Sequence, residues 1–184
     1  MSWHPRSTES RSDVKHIQDL IDIFLQPGEL FVGDKEYQIR TILGSCVSIT
    51  LWHAASRMGG MSHFLLPTRS GTSGDPALDG RYGDEALQLM LVELKKYGLC
   101  PEDCEAKIFG GGNMFPGHDR AGSMLVGQRN GEAARDLLQA RGIPVVSESL
   151  FGIGHRQIIF DVSNGDVWSR QIAPGQAPRE GSPD

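Results

Sequence analysis

From Glu29 to Trp52 the chain turns to a strand pattern of β-branched and apolar residues, which the small residues Gly44 and Ser45 interrupt within "TILGSCVSITLW". The segment "GGMSHFLLP" reads as another strand ending at Pro67, and the "HAASRMGG" between them suits a hairpin-like connection. Cys46 and His63 are therefore expected on neighbouring strands. Helical spacing first becomes clear in "DEALQLMLVELKKYG", where Ala86, Leu87, Met90, Leu91 and Leu94 share a face. Acids open that segment, lysines close it and Gly98 takes the position after the C-cap.

The chain after that helix reads as "EAKIF", a strand running into the Gly-rich turn "GGGNMF", and then "GSMLVGQRN", a further candidate strand. A second helix, "GEAARDLLQARG", is expected to start at Asn130 as N-cap and to bury Ala134, Leu137 and Leu138, with Gly142 closing it and Pro144 beyond. Three more strands follow, "IPVVSESL", "HRQIIFDVS" and "DVWSRQI", the last two joined across the hairpin signal Asn164-Gly165. Near the N-terminus Ser12 can cap a short amphipathic helix carrying Val14, Ile17, Leu20, Ile21 and Phe24, ended by "QPGE", which packs on the core or is offered to a partner. Residues 68–83, polar and Gly-rich, form the longest internal loop and a candidate rim for a site.

Strands outnumber helices, so the pattern predicts an α/β or α+β layered domain with a mixed sheet and no fixed-period repeat. Its bounds are 28–172, with a tail and amphipathic helix over 1–27 and a disordered Pro- and Gly-rich tail over 173–184. Composition keeps this picture within ordinary soluble proteins: 184 residues, 39% apolar and 22% charged. A net charge of −5 offers no general attraction to phosphate backbones or anionic membranes, so nucleic acid is not an expected partner. Apolar runs fall short of a membrane span, the N-terminus has no signal-peptide core, and Arg6, Arg11 and Lys15 are too sparse for a membrane anchor, so a cytoplasmic location is expected. An odd count of three cysteines, Cys46, Cys100 and Cys104, argues against a disulfide scaffold.

The candidate chemistry is that of a thiol. At a reference pKa of about 8.5 only about 3% of a cysteine is thiolate at pH 7, and an imidazole that lowered the value to about 6 would raise this to about 90%. His63 is the leading partner for Cys46, since His53 lies in or near the connection and His4 and His16 in the N-terminal segment. Gly44 and Ser45 would let a carbonyl substrate approach the backbone, where main-chain N–H groups can stabilise an oxyanion, and Thr41 could hold the imidazole or bind the substrate amide. Spacing alone leaves the alternatives open: a packed core thiol at Cys46 and a satisfied core histidine at His63.

"FGGGNMF" fits neither a P-loop nor a dinucleotide fingerprint and reads as a tight turn, from which Asn113 could offer an amide to a nearby site. "CPEDC" lacks the second pair of a structural zinc site, so Cys100 and Cys104 are expected to flank a turn. His118 and His155 are read in Gly-bearing loops, and no metal or organic cofactor is expected.

Taken together, "TILGSCVSITLW", "GGMSHFLLP", "RYGDEALQLMLVELKKYG", "EAKIFGGGNMF", "GQRN" and "GIPVVSESLFGIGHRQIIFDVSNGDVW" resemble, in order, the chemoreceptor glutamine deamidases known as CheD. The resemblance implies a layered α/β sandwich similar to the catalytic domain of Rho-deamidating toxins. It implies hydrolysis of glutamine side chains in methyl-accepting chemotaxis receptors to glutamates and ammonia, by a protein-glutamine glutaminase, after which the new carboxylates can be methylated. The family's nucleophile falls on Cys46 and its base on His63. Its third position, a threonine upstream of the cysteine, falls on Thr41, or on Arg40 in an ungapped alignment. The resemblance also implies a CheC-type phosphatase as partner, so the alternative function is a non-catalytic adaptor binding receptors and that phosphatase. A thiol peptidase or transglutaminase shares the thioacyl step and differs in its acceptor.

Overall fold

The computed structural model describes residues 20–71, 77–117 and 121–175. Ser12, Val14, Ile17, His4, His16, His118 and the tail from 176 lie outside those residues. Among the described residues nine strands and two α-helices follow in the order β1 (Ile21–Phe24), β2 (Leu30–Gly33), β3 (Tyr37–Leu43), β4 (Val47–His53), β5 (Met58–Ser62), α1 (Gly83–Lys96), β6 (Glu105–Gly110), α2 (Ala121–Ala140), β7 (Val145–Leu150), β8 (His155–Asp161) and β9 (Val167–Ile172).

The fold is mixed α/β, with two sheets where the sequence pattern predicts one. Four strands pair in the order β1-β3-β8-β9 and five in the order β2-β5-β4-β6-β7. Each is mixed: β1–β3 and β6–β7 are parallel and the other pairs antiparallel. Consecutive β2 and β3 go to different sheets, because β2 finds β5 and β3 finds β8. Such non-local pairing leaves no trace in local periodicity.

Alternation along the central strands builds two apolar layers. On β4, Val47, Ile49 and Leu51 turn toward the helices and join Leu87, Met90 and Leu94 of α1, Ile108 of β6, and Ala134 and Leu138 of α2. Its other face, with Met61 and Phe109 of the same sheet, meets Ile39, Leu43, Ile158 and Phe160 of the four-stranded sheet. The layers thus run helices, five-stranded sheet, four-stranded sheet. Among the described residues no helix is long and apolar enough to cross a membrane.

α1 carries the expected buried face of Ala86, Leu87, Met90, Leu91 and Leu94. Three expectations are corrected. Ile21 and Phe24, assigned to the terminal helix, stand on β1, where backbone pairing with Tyr37 through Arg40 of β3 prevails over a short helix that would be marginal by itself. "GSMLVGQRN" is helix, continuous with the segment after it, so Asn130 is no N-cap and lies midway along α2. Its glycines mark close approach: a Cβ at Gly127 would stand 2.6 Å from the Gly111 carbonyl oxygen, and one at Gly131 2.7 Å from the Phe151 ring. His155 opens β8, paired with Ile172.

Candidate active site

Cys46 immediately precedes β4 and His63 immediately follows β5, two antiparallel strands whose register continues through mutual bonds between Val47 and Phe64 of 3.1 and 3.0 Å. Strand parity then aims both side chains alike. His63 shares the face of Met61, and Cys46 packs against the same layer between the sheets. From the facing sheet, Thr41 shares the inward face of β3 with Ile39 and Leu43, and all three are buried. Arg40, one residue away, must point the other way; it is exposed and pairs with Asp22 at 2.7 Å. Thr41, and not Arg40, is the side chain brought to the imidazole.

Thr41 Oγ1 lies 2.8 Å from His63 Nδ1 and donates to the Leu25 carbonyl at 2.7 Å. A hydroxyl has one proton, and the Leu25 carbonyl takes it. Thr41 must therefore accept from His63, which puts a proton on Nδ1 and leaves Nε2 as the basic nitrogen. The backbone of His63 is fixed as well, its N–H donating to Glu29 at 2.9 Å and its carbonyl accepting from Gly28 at 2.7 Å.

Burial sets the charge state. Desolvation holds the His63 imidazole down at about 4, against smaller upward pulls from the Leu25 carbonyl and the Glu29 carboxylate. Desolvation likewise pushes the Cys46 thiol up, opposed by its own backbone N–H. Both shifts favour the uncharged forms, thiol and neutral imidazole.

Three successive carbonyls of the Gly44-Ser45-Cys46 turn are held from behind. Gly112 N–H donates to Gly44 at 2.8 Å, Asn130 Nδ2 to Ser45 at 3.0 Å, and Gly111 N–H to Cys46 at 2.9 Å. The close fit explains the glycine run: at Gly110, with φ of +115°, a Cβ would stand 2.2 Å from the Cys46 oxygen. Arg156, buried on β8, braces the start of the glycine run by donating to the Gly110 carbonyl at 2.9 Å and ties it to the Phe151 carbonyl at 3.1 Å. Asn130 and Arg156 are absent from the sequence-derived site. A signal for the first existed, since Asn130, Ala134 and Leu138 repeat at one helical face.

Asn113 sits at the end of the Gly-rich turn, its side-chain oxygen accepting from Phe115 N–H at 3.0 Å. With Gly111, Gln128, Phe151, Gly152 and Ile153 it lines a cleft of about 420 Å³. The loop from Thr68 to Gly83 is anchored where described, Arg69 Nη2 meeting Glu85 at 2.7 Å and Thr68 donating to Asp84 at 2.8 Å. Cys100 and Cys104 flank a turn of 3-10 helix at Pro101–Asp103, away from this cluster in the chain. Among the described residues no group of three or more His, Cys, Asp and Glu converges to hold a metal ion.

The arrangement puts a half-buried thiol and an imidazole with one basic nitrogen on the same face of neighbouring strands. A model of the family described as "CheD chemotactic sensory transduction" matches residues 65–171. "Probable chemoreceptor glutamine deamidase CheD 2" of Albidiferax ferrireducens is 70% identical over 154 residues, covering 84% of this chain and 89% of that protein. The relative called CheD 3 from Dechloromonas aromatica is 45% identical over 82% of this chain and 87% of its own length, and CheD 1 from Chromobacterium violaceum 43% over 81% and 77%.

Proposed function

The chain belongs to the CheD family, and from that premise we propose that it hydrolyses the side-chain amide of selected glutamines in chemoreceptors, giving glutamate and ammonia. The names of its relatives support the substrate class. The observation that carries the chemistry is the hydrogen-bond chain Leu25 carbonyl, Thr41 hydroxyl, His63 imidazole, on the strand pair whose register also brings Cys46 to the same face.

In this reading Cys46 is the nucleophile. His63 Nε2 takes the thiol proton as sulfur attacks the carboxamide carbon, and passes it to the nitrogen that leaves as ammonia. A thioester to Cys46 remains. His63 then takes a proton from water, the hydroxide adds to the thioester carbon, and the C–S bond breaks to give glutamate and the free thiol. Thr41 holds the ring so that Nε2 faces sulfur. The N–H groups of the Gly44-Ser45-Cys46 turn are the donors offered to the oxyanion. Asn113 and the cleft beside it form the wall against which the receptor segment lies. No metal or organic cofactor enters the cycle.

The site is proposed to act on the cytoplasmic domains of methyl-accepting receptors, where each new carboxylate becomes available for methylation and so sets adaptation. An adaptor that only bound receptors and a CheC-type phosphatase would need no oriented imidazole next to a thiol, and this favours catalysis. Incubating the protein with a receptor cytoplasmic fragment is expected to add about one mass unit per site as NH2 becomes OH. Cys46→Ala is expected to abolish the change, and conversion at the normal rate by that variant would overturn the mechanism.

A further inference from the structure

Asn130 is fully buried midway along α2, where an asparagine contributes neither helix propensity nor apolar packing. Its Nδ2 donates to the Ser45 carbonyl at 3.0 Å and to the Leu65 carbonyl at 2.8 Å. Both partners are acceptors, so only the NH2 end of the amide can face them, and its orientation is fixed by chemistry. Its Oδ1 is buried without a partner among the described residues. The residue thus carries an unsatisfied acceptor in order to place two N–H groups.

The two carbonyls identify what is being held. Ser45 directly precedes Cys46, and Leu65 lies two residues beyond His63. The strand pair closes its last mutual bonds at Val47 and Phe64. Beyond them the chains part, Leu65 N–H turning to the Arg81 carbonyl and the Ser45 turn toward the Gly-rich loop. One side-chain amide spans the gap where the ladder has stopped.

We propose that Asn130 is a positioning residue of the deamidation reaction, its two N–H groups fixing the separation and aim of the Cys46 thiol relative to the His63 imidazole. This rests on the reading of Cys46 and His63 as nucleophile and base. Because the resting thiol is protonated, proton transfer must accompany attack, so catalysis depends steeply on where the two side chains stand. A misplacement of about 1 Å can cost about a hundredfold in rate.

The test is a cycle of His63→Gln and Asn130→Asp, read first as the rate of Cys46 alkylation by iodoacetamide. Peptide mass separates Cys46 from Cys100 and Cys104, and no receptor is needed. His63→Gln is expected to slow alkylation about tenfold or more, by loss of the base. Asn130→Asp, the same shape with one donor group exchanged for oxygen, is expected to slow it comparably in the native background and by less than about twofold beside His63→Gln, because it acts through that pair. With receptor fragment, Asn130→Asp is expected to lower kcat about a hundredfold and leave KM near its native value.

Additive effects in the cycle, or an unchanged alkylation rate and kcat in a folded Asn130→Asp, would overturn the inference while leaving the nucleophile and base in place. No effect of His63→Gln on either reaction would instead overturn the pair itself, and the inference with it. Asn130→Ala serves as the second variant, and if neither variant melts cooperatively the amide supports the fold alone and the positioning role falls.

Discussion

The difference between Thr41 and Arg40 is one step along a strand, and the pleat makes that step decisive. Thr41→Val keeps the shape and removes the acceptor of the His63 Nδ1–H, leaving a buried donor unpaired at a cost of about 1–3 kcal/mol. Turnover of receptor fragment is expected to fall about ten- to a hundredfold, by analogy with other lost orienting groups, and Thr41→Ser is expected to restore most of it. Arg40→Ala breaks an exposed pair with Asp22 and a stacking contact with the Phe24 ring, both outside the inward face of β3, so melting should shift by about 1 kcal/mol and turnover should hold. The charge state of His63 gives a pH signature with a definite sign. The imidazole must be unprotonated to accept the thiol proton, and burial holds it at about 4, so activity persists below the ordinary histidine range and falls as pH drops through about 4. A rate profile whose acid limb sits near 6.5, the ordinary value, would contradict this.

Elements were legible where their pattern was local. The face of α1 could be read directly, because five apolar positions at helical spacing had acids before them and lysines behind. Strands β8 and β9 were marked by alternation and by Asn164-Gly165 between them. The first half of α2 was not legible: its apolar run suits a strand equally, and Gly127 and Gly131 resemble turn residues until one sees the backbone and ring they touch. Asn130 was misread for the same reason, as the start of a helix in which it is the middle. Gly127→Ala tests the contact between this helix and the turn behind Cys46. The added carbon would stand 2.6 Å from the Gly111 oxygen and push α2 away. We expect a loss of about 1–3 kcal/mol in denaturant unfolding, as for other overpacked sites, with a fall in turnover, since Gly111 N–H holds the Cys46 carbonyl.

At the scale of the molecule, the site belongs to neither sheet alone: Cys46 and His63 come from the five-stranded sheet and Thr41 from the four-stranded one. Sequence placed the first two together through a hairpin. It offered Thr41 only as a residue that could hold the imidazole or bind the substrate, because the meeting of two sheets is set by burial across the layer and leaves no local pattern. Folding stability is expected to share the site's dependence on protons. In the folded chain the His63 imidazole lies at about 4, below its ordinary 6.5. As pH falls through that window the unfolded chain takes up the proton first, so stability declines between 6.5 and about 4, and this contribution levels off below. Denaturant midpoints across the window should therefore fall more steeply for the native chain than for His63→Gln.

The neutral resting pair also bears on endurance. Peroxides and other oxidants attack thiolates far faster than thiols, and the path to sulfinic and sulfonic acids begins with that attack. A Cys46 thiol pushed up by burial offers them little, and in the proposed cycle it loses its proton only as it attacks. Peroxide is therefore expected to oxidise Cys46 more slowly than a free cysteine, which peptide mass after timed exposure would measure.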